Sequence, residues 1–375
     1  MSLPRWYTQS DYMEFSKQNP GARFDLGGSG VKSCSMADLC VESPGFRLED
    51  LDLTGPLVYG HAPLLEAIAA LKGVKPESVV HTEGTSMANH LAMSALFAPG
   101  DEVLIEEPTY EPMLMTALYL GAKVQRFQRR WEDNFAVEAE EVARHLTSQT
   151  RLIVIQNLHN PSSALVSEET LRAIGALARE VGARVLVDEV YLETLHHPPL
   201  STAFLLGDEF VVTSSLTKAY GLGGLRCGWV LAEPKLAERM WRLNDLFASY
   251  PAHVTELLSV IAIEQIDKLR DRADAIVEAN RSALAAALDG HPAIDLTIPA
   301  VGTTVFPRLR QGDVAGFSKF LREEYETSVV PGRYFERPQH FRVGMVGDVE
   351  TTREGLTRLA RALSEWERVG GEVAS

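Results

Sequence analysis

From about residue 78 the chain repeats one pattern, a short apolar run followed by a longer segment with helical spacing. The runs are Glu102-Val103-Leu104-Ile105, Leu152-Ile153-Val154-Ile155, Arg184-Val185-Leu186-Val187 and Phe210-Val211-Val212. Glu168 to Val181 is the clearest helical segment between two of them. Runs that short and that continuously apolar read as buried strands. Strands alternating with helices imply parallel pairing with helical crossovers, since parallel neighbours cannot be joined by a tight hairpin. The pattern predicts an α/β fold, a large domain with a mostly parallel central sheet flanked by helices. Ligands of such sheets sit beyond the carboxyl ends of the strands, so the residues just after each run become the candidates for chemistry.

The pattern changes toward the C-terminus. Ala252 to Leu288 reads as one long helical stretch, closed by Asp289-Gly290-His291-Pro292. Separate strands follow (Ile294 to Arg308, Phe341 to Met345), with helices at Asp313 to Glu326 and Asp348 to Arg368, which predict a smaller α+β domain. The expected division is an N-terminal segment, 1–48, that joins the small domain and covers the active site, a large domain, 49–285, and a small C-terminal domain, 286–375. A chain of 375 residues with 45% apolar content can bury a core in each domain.

Charge narrows the partners. Lys and Arg total 36 against 51 Asp and Glu, a net charge of -15, which disfavours a nucleic-acid or anionic-membrane surface and makes any phosphate-binding basic group a local feature. Cys34, Cys40 and Cys227 lack metal-type spacing, no metal is expected, and an odd count argues against a disulfide framework. The start, MSLPRWYTQSDYMEF, has no apolar core of a signal peptide, and no stretch approaches a membrane span of about 20 residues. These features predict a cytoplasmic location.

The strand-end residues are Gly84-Thr85-Ser86, Pro108-Thr109-Tyr110, Asn157 with Asn160-Pro161, Asp188 with Tyr191, and Ser215 with Lys218. Gly84-Thr85-Ser86 opens a helix, where free N–H groups and the helix dipole favour a phosphate; Thr85 or Ser86 would serve equally well as an ordinary N-cap. Asp188 ends an apolar run, and a buried carboxylate needs a partner. Gly221-Leu222-Gly223-Gly224 imitates part of a dinucleotide fingerprint but leads into a strand, where that motif needs a helix. His196-His197 lacks the company of a metal site.

Taken together and in this order, the residues resemble those of class I/II aminotransferases, fold-type I enzymes that use pyridoxal 5'-phosphate, over nearly the whole chain. The resemblance implies that Lys218 forms the Schiff base with the cofactor, a task for a primary amine, and that Asp188 pairs with its ring nitrogen. It implies that Tyr191 and Asn160 contact the cofactor's 3'-oxygen, with Asn157 in the same pocket. Tyr110 would stack on the ring, and Gly84, Thr85, Ser86, Ser215 and Arg226 would form the phosphate cup. Arg342, in Phe341-Arg342-Val343-Gly344, resembles the arginine that clamps the substrate carboxylate, a planar fork suited to two parallel hydrogen bonds. Gly28 is placed on the segment that closes over substrate, with Asn160 beside it. Tyr59 resembles a tyrosine that reaches the neighbouring subunit's phosphate, which implies a homodimer with shared active sites.

The resemblance thus implies movement of an amino group between an L-amino acid and a 2-oxo acid. The alternatives on the same site are β- or γ-elimination or replacement, including a C–S lyase, and amino-acid cyclisation. The sequence departs from the family at Ser163, where Asn160-Pro161-Ser162-Ser163 replaces the usual glycine and leaves the turn geometry open.

Overall fold

The computed structural model describes residues 9–19, 21–40, 47, 51, 53–194 and 200–368. The N-terminal part holds α1 (Asp11–Gln18), β1 (Phe24–Asp25), α2 (Met36–Cys40) and α3 (Ala62–Lys72). The alternating region follows as β2 (Val79–Glu83), α4 (Thr85–Leu96), β3 (Glu102–Glu107), α5 (Glu111–Tyr119), β4 (Lys123–Gln128), α6 (Ala139–His145), β5 (Thr150–Gln156), α7 (Glu168–Val181), β6 (Arg184–Asp188), β7 (Phe210–Ser215) and β8 (Cys227–Leu231). Then come α8 (Pro234–Asn244), α9 (His253–Glu264), α10 (Ile266–Leu288), β9 (Ile294–Asp295), β10 (Thr304–Val305), β11 (Arg308–Leu309), α11 (Val314–Tyr325), β12 (Thr327–Ser328), β13 (Val330–Pro331), β14 (Phe341–Gly344) and α12 (Val349–Arg368).

Seven strands form the central sheet in the order β2-β8-β7-β6-β5-β3-β4. All pairings are parallel except those of β8, which runs antiparallel to both β2 and β7. The α/β architecture expected from the alternation is therefore present. One apolar cluster (Leu104, Ile153, Val185, Val212, Trp229) covers one face and a second (Val103, Leu152, Leu186, Val211, Val230) the other, so successive residues of each strand are buried on opposite sides. Helix α7 shows how the covering layer forms. Ser167 caps its first turn by accepting from Thr170 N at 3.0 Å, and Gly182 ends it at φ 72°. Between them Leu171, Ile174, Gly175 and Ala178 share one buried face at helical spacing. Burying Leu171 and Ile174 contributes roughly 1.5–3 kcal/mol each.

Two expectations change in detail. The stretch from Ala252 to Leu288 is two helices, because the Gln265 amide donates to Leu39 O at 3.0 Å and Ile261 O at 3.2 Å, tying the break to a segment 226 residues away. No glycine or proline marks that break. The strand expected over Ile294 to Arg308 is three short pieces, with β9 pairing antiparallel to β11 while β10 pairs with β14. A further core gathers Val305, Phe317, Phe341, Val343, Leu359 and Trp366 with Leu26 and Val31 of the N-terminal segment. The latter segment crosses between the two layers of structure: Gly344 N donates to Leu26 O at 2.7 Å, and Val31 N to Lys218 O at 2.9 Å. No helix among the described residues is long and apolar enough to cross a membrane.

Candidate active site

At the carboxyl edge of the sheet a cavity of about 230 Å³ is lined by Thr85, Ser86, Tyr110, Asn160, Asp188, Tyr191, Lys218 and Arg226, among others. Thr85 and Ser86 open α4, Arg226 precedes β8, and the others sit at or just beyond strand ends, brought there by neighbouring registers: Gln156 pairs Asp188, and Asp188 pairs Thr213.

Asp188 is buried. Its carboxylate accepts from Asn89 Nδ2 at 2.9 Å and from Val190 N at 3.0 Å, and Thr213 Oγ1 donates to Asn89 Oδ1 at 2.5 Å, which fixes the amide's orientation. Burial pushes the carboxyl up to about 6, against the lowering effect of those hydrogen bonds and of the Lys218 charge. A cation placed against it would relieve that cost. Below about pH 4 Asp188 is protonated whether the cofactor-free chain is folded or not. Between about pH 4 and 6 the unfolded carboxyl ionises first, so stability is lost as pH rises through that window, by an amount on the order of 3 kcal/mol. Asp188→Asn should therefore stabilise the cofactor-free protein at pH 7.5 and leave it unchanged near pH 4, as read by the difference in urea unfolding free energy between the two proteins.

The end of the cavity at α4 is built around Gly84, the N-cap of that helix, at φ 82° and ψ 171°. A Cβ there would stand 2.4 Å from Arg226 Nη2, and a Cβ on Gly228 would stand 2.4 Å from the Gly84 carbonyl carbon, so both glycines are needed for the guanidinium to lie over the helix start. Arg226 itself adopts φ 53°, and its Nη2 donates to Glu83 O at 3.1 Å. Thr85 Oγ1 donates to Ser215 Oγ at 2.8 Å, which in turn accepts from Thr217 N at 3.2 Å. The Thr217 hydroxyl lines the cavity and is buried without a partner among the described residues, which leaves it able to donate to a ligand oxygen. Gly84→Ala should cost about 1–3 kcal/mol of strain and lower affinity for pyridoxal phosphate; urea unfolding and a cofactor titration read the two effects.

Arg342 is buried on β14. Its Nη1 donates to Asn160 Oδ1 at 2.9 Å, and its Nη2 to Tyr12 OH at 3.1 Å and Gly27 O at 2.8 Å, while Nε has no partner. Tyr12 comes from α1, which is pinned over the site because Glu111, the residue after Tyr110, accepts from Tyr12 N at 2.8 Å. Tyr110 lies edge-on to Tyr12, with ring centroids 5.5 Å apart. Burial raises the Tyr110 phenol. For Tyr12 the upward pull of burial is outweighed by the charges of Arg342 and Lys218, which leave that phenol below its usual range.

Three expected residues stand elsewhere. Asn157 is buried, but its side chain is spent on Val166, accepting from the N–H at 3.0 Å and donating to the carbonyl at 3.3 Å. Gly28 lines an adjoining groove beside α11, and Tyr59 is half exposed, donating to Asp245 at 3.1 Å. His196 and His197 lie outside the described residues. Residues that sequence reasoning passed over also line the cavity, Tyr12, Ser29, Asn89 and Gln156 among them. Only Asn89 had a local signal, lying one helical turn after Thr85 on α4. Ser163 keeps a left-handed backbone, φ 60°, with its hydroxyl donating to Thr304 O at 2.9 Å and with Gly302 leaving it room. Thus the serine occupies the turn despite its side chain. Among the described residues no group of three or more His, Cys, Asp or Glu is arranged to hold a metal ion.

The sheet and its cavity have close counterparts. A profile of the aminotransferase class I and II family matches residues 52–359. Capreomycidine synthase from Streptomyces vinaceus is 30% identical over 357 residues, 92% of this chain and 91% of that protein. The structure of a PLP-dependent aminotransferase from Streptococcus suis 89-1591 superposes with a TM-score of 0.89 at 27% identity over 100% of both chains. That of the PLP-dependent cyclase OrfR gives 0.87 at 26% identity over 97% of this chain and 99% of the other. These likenesses define a pyridoxal phosphate-dependent enzyme of fold type I. Within that class the chain belongs to the class I/II aminotransferase family.

The residues present fit the cofactor: a buried carboxylate held up to about 6 suits a ring cation, and the unpartnered Thr217 hydroxyl beside a glycine cradle suits a phosphate.

Proposed function

We propose that the protein is an aminotransferase that moves an amino group between an L-amino acid and a 2-oxo acid, with Lys218 as the amine that links to the cofactor. The observation that carries this reading is the convergence of Lys218, Asp188, Tyr191 and Arg226 on one cavity, with Arg342 held behind Asn160. Pyridoxal phosphate, when bound, supplies an aldehyde for an amine and a ring that accepts the electron pair left by a broken bond at the substrate α-carbon. Asp188 holds the negative charge that keeps the ring nitrogen protonated. Arg226, Thr85, Ser86, Ser215 and the N-terminal N–H groups of α4, behind Gly84, hold the phosphate. Tyr110 covers the ring face, and Tyr191 and Asn160 address its oxygen. Lys218, once free, moves the proton taken from the α-carbon.

Arg342 orients the substrate by its carboxylate, which takes the place of the Tyr12 hydroxyl on Nη2 and engages the unpartnered Nε. A carboxylate held this way favours loss of the α-proton over decarboxylation. Arg342→Lys should raise KM about 10- to 100-fold with a smaller effect on kcat, because a point charge replaces a fork; steady-state kinetics on the best amino donor measure it.

The active unit is proposed to be a homodimer. Leu53, Leu57, Val58 and Tyr59 are exposed near Leu246, Phe247 and Tyr250, and the Tyr59–Asp245 hydrogen bond joins the two segments into one apolar face. Tyr59 on that face would reach the partner's phosphate.

A second reading is favoured by the 30% identical capreomycidine synthase and the OrfR cyclase: the same α-proton loss followed by cyclisation of the substrate. Incubating the holoenzyme with a panel of L-amino acids and no 2-oxo acid separates the two. Transamination converts the cofactor to pyridoxamine phosphate; a colour that returns unchanged with a cyclic product rejects it.

A further inference from the structure

We propose that Ser29 is a catalytic residue, its hydroxyl carrying the proton to and from the Lys218 amine. The inference rests on the reading of Lys218 as the reacting amine.

Ser29 Oγ accepts from Lys218 Nζ at 3.2 Å and from Tyr191 OH at 2.9 Å. A hydroxyl has two acceptor positions and one donor, so with both acceptors used its own hydrogen is left to donate, and Ser29 lines the cavity. The side chain is 6% exposed, and both of its partners are groups of the site. The fold fixes the backbone without help from that hydroxyl: Ser29 O accepts from Thr303 Oγ1 at 2.9 Å, Gly27 O from Arg342 at 2.8 Å, and Val31 N donates to Lys218 O at 2.9 Å. The residues on either side would hold a larger group only tightly. A Cβ on Gly28 would meet Val346 Cγ2 at 3.2 Å, and one on Gly30 would meet Lys218 Cδ at 3.2 Å. The segment therefore admits a side chain at position 29, where it faces the amine.

Lys218 must be neutral to bond to a carbonyl carbon or to take a proton from carbon, and charged afterwards. In the transfer the Lys218 ammonium gives one proton to Ser29 Oγ while the hydrogen already on Ser29 passes to a water in the cavity. Ser29 ends as a hydroxyl, the amine is neutral, and the proton has left on water; the reverse sequence recharges the amine. Tyr191 OH, 2.9 Å from the same oxygen, keeps the Ser29 hydroxyl beside the amine.

The test compares wild type with Ser29→Ala and Ser29→Thr, after thermal melting shows that each is folded. In the cofactor-free protein, competitive acetylation of Lys218 is followed by peptide mass spectrometry across pH. Loss of the accepting oxygen destabilises the ammonium, so the midpoint in Ser29→Ala should fall by about one pH unit, and Ser29→Thr should restore it. In the holoenzyme, exchange of a bound amino acid's α-hydrogen with deuterated water should slow at least tenfold in Ser29→Ala and recover in Ser29→Thr. A more reactive amine joined to slower exchange is the signature of the relay, since general loosening of the site would not shift the midpoint in that direction. An unchanged midpoint, or exchange at the wild-type rate in Ser29→Ala, overturns the proposal. Should Ser29→Ala fail to fold, Ser29→Cys, a weak acceptor of similar size, carries the same comparison. If borohydride fixes the cofactor to a lysine other than Lys218, the reading of the site itself has failed, a result distinct from failure of the relay.

Discussion

Lys218→Ala is expected to lower turnover by a factor on the order of 10⁶ while leaving the fold intact. The lysine side chain reaches into the cavity from the loop after β7 and donates to Ser29 Oγ there, so its removal disturbs little packing. The chemistry loses both the amine that links to the cofactor and the base that moves the α-proton, and among the described residues no other lysine lines the cavity. Borohydride followed by peptide mapping should mark Lys218 in wild type and no residue in the variant. Substantial turnover by the alanine variant would remove the basis of the functional reading.

The next largest effect is expected from Asp188→Asn. Breaking a buried charge pair by removing one partner costs about 3–5 kcal/mol, which corresponds to roughly 10²- to 10⁴-fold in rate. Asparagine keeps one acceptor oxygen for Val190 N, and its NH2 can meet Asn89 once that amide turns over, so the site loses its charge with little change of shape. The same substitution stabilises the cofactor-free protein above pH 6. That opposition, a weaker catalyst on a firmer scaffold, distinguishes a carboxylate kept for chemistry from one kept for structure. If the variant keeps wild-type kcat, or if cofactor-free stability at pH 7.5 falls, Asp188 has been assigned the wrong task.

Much of this site could be read from the sequence because each contributing stretch announces itself locally. Lys218, Asp188 and Tyr110 follow apolar runs, and a residue just beyond a buried parallel strand has few places to go except the carboxyl edge of the sheet. Asn157 shows the limit of that logic. It also follows a strand, yet its amide closes on Val166, because the loop after β5 folds back and uses the nearest polar side chain to satisfy its own backbone. Gln265 shows a second limit: an apolar helical stretch breaks at a residue whose amide donates to a carbonyl 226 residues away.

Periodicity and turn chemistry act over a few residues, and they sufficed to set the parallel strands of the central sheet, helix α7 between two of them and the turn at Gly84. They could not place Ser29 against an amine 189 residues later, or Tyr12 against Arg342 across 330. Those meetings depend on the N-terminal segment being packed into the core around Phe341 and Val343 while α1 is held by Glu111, and packing of that kind is a property of the whole folded chain.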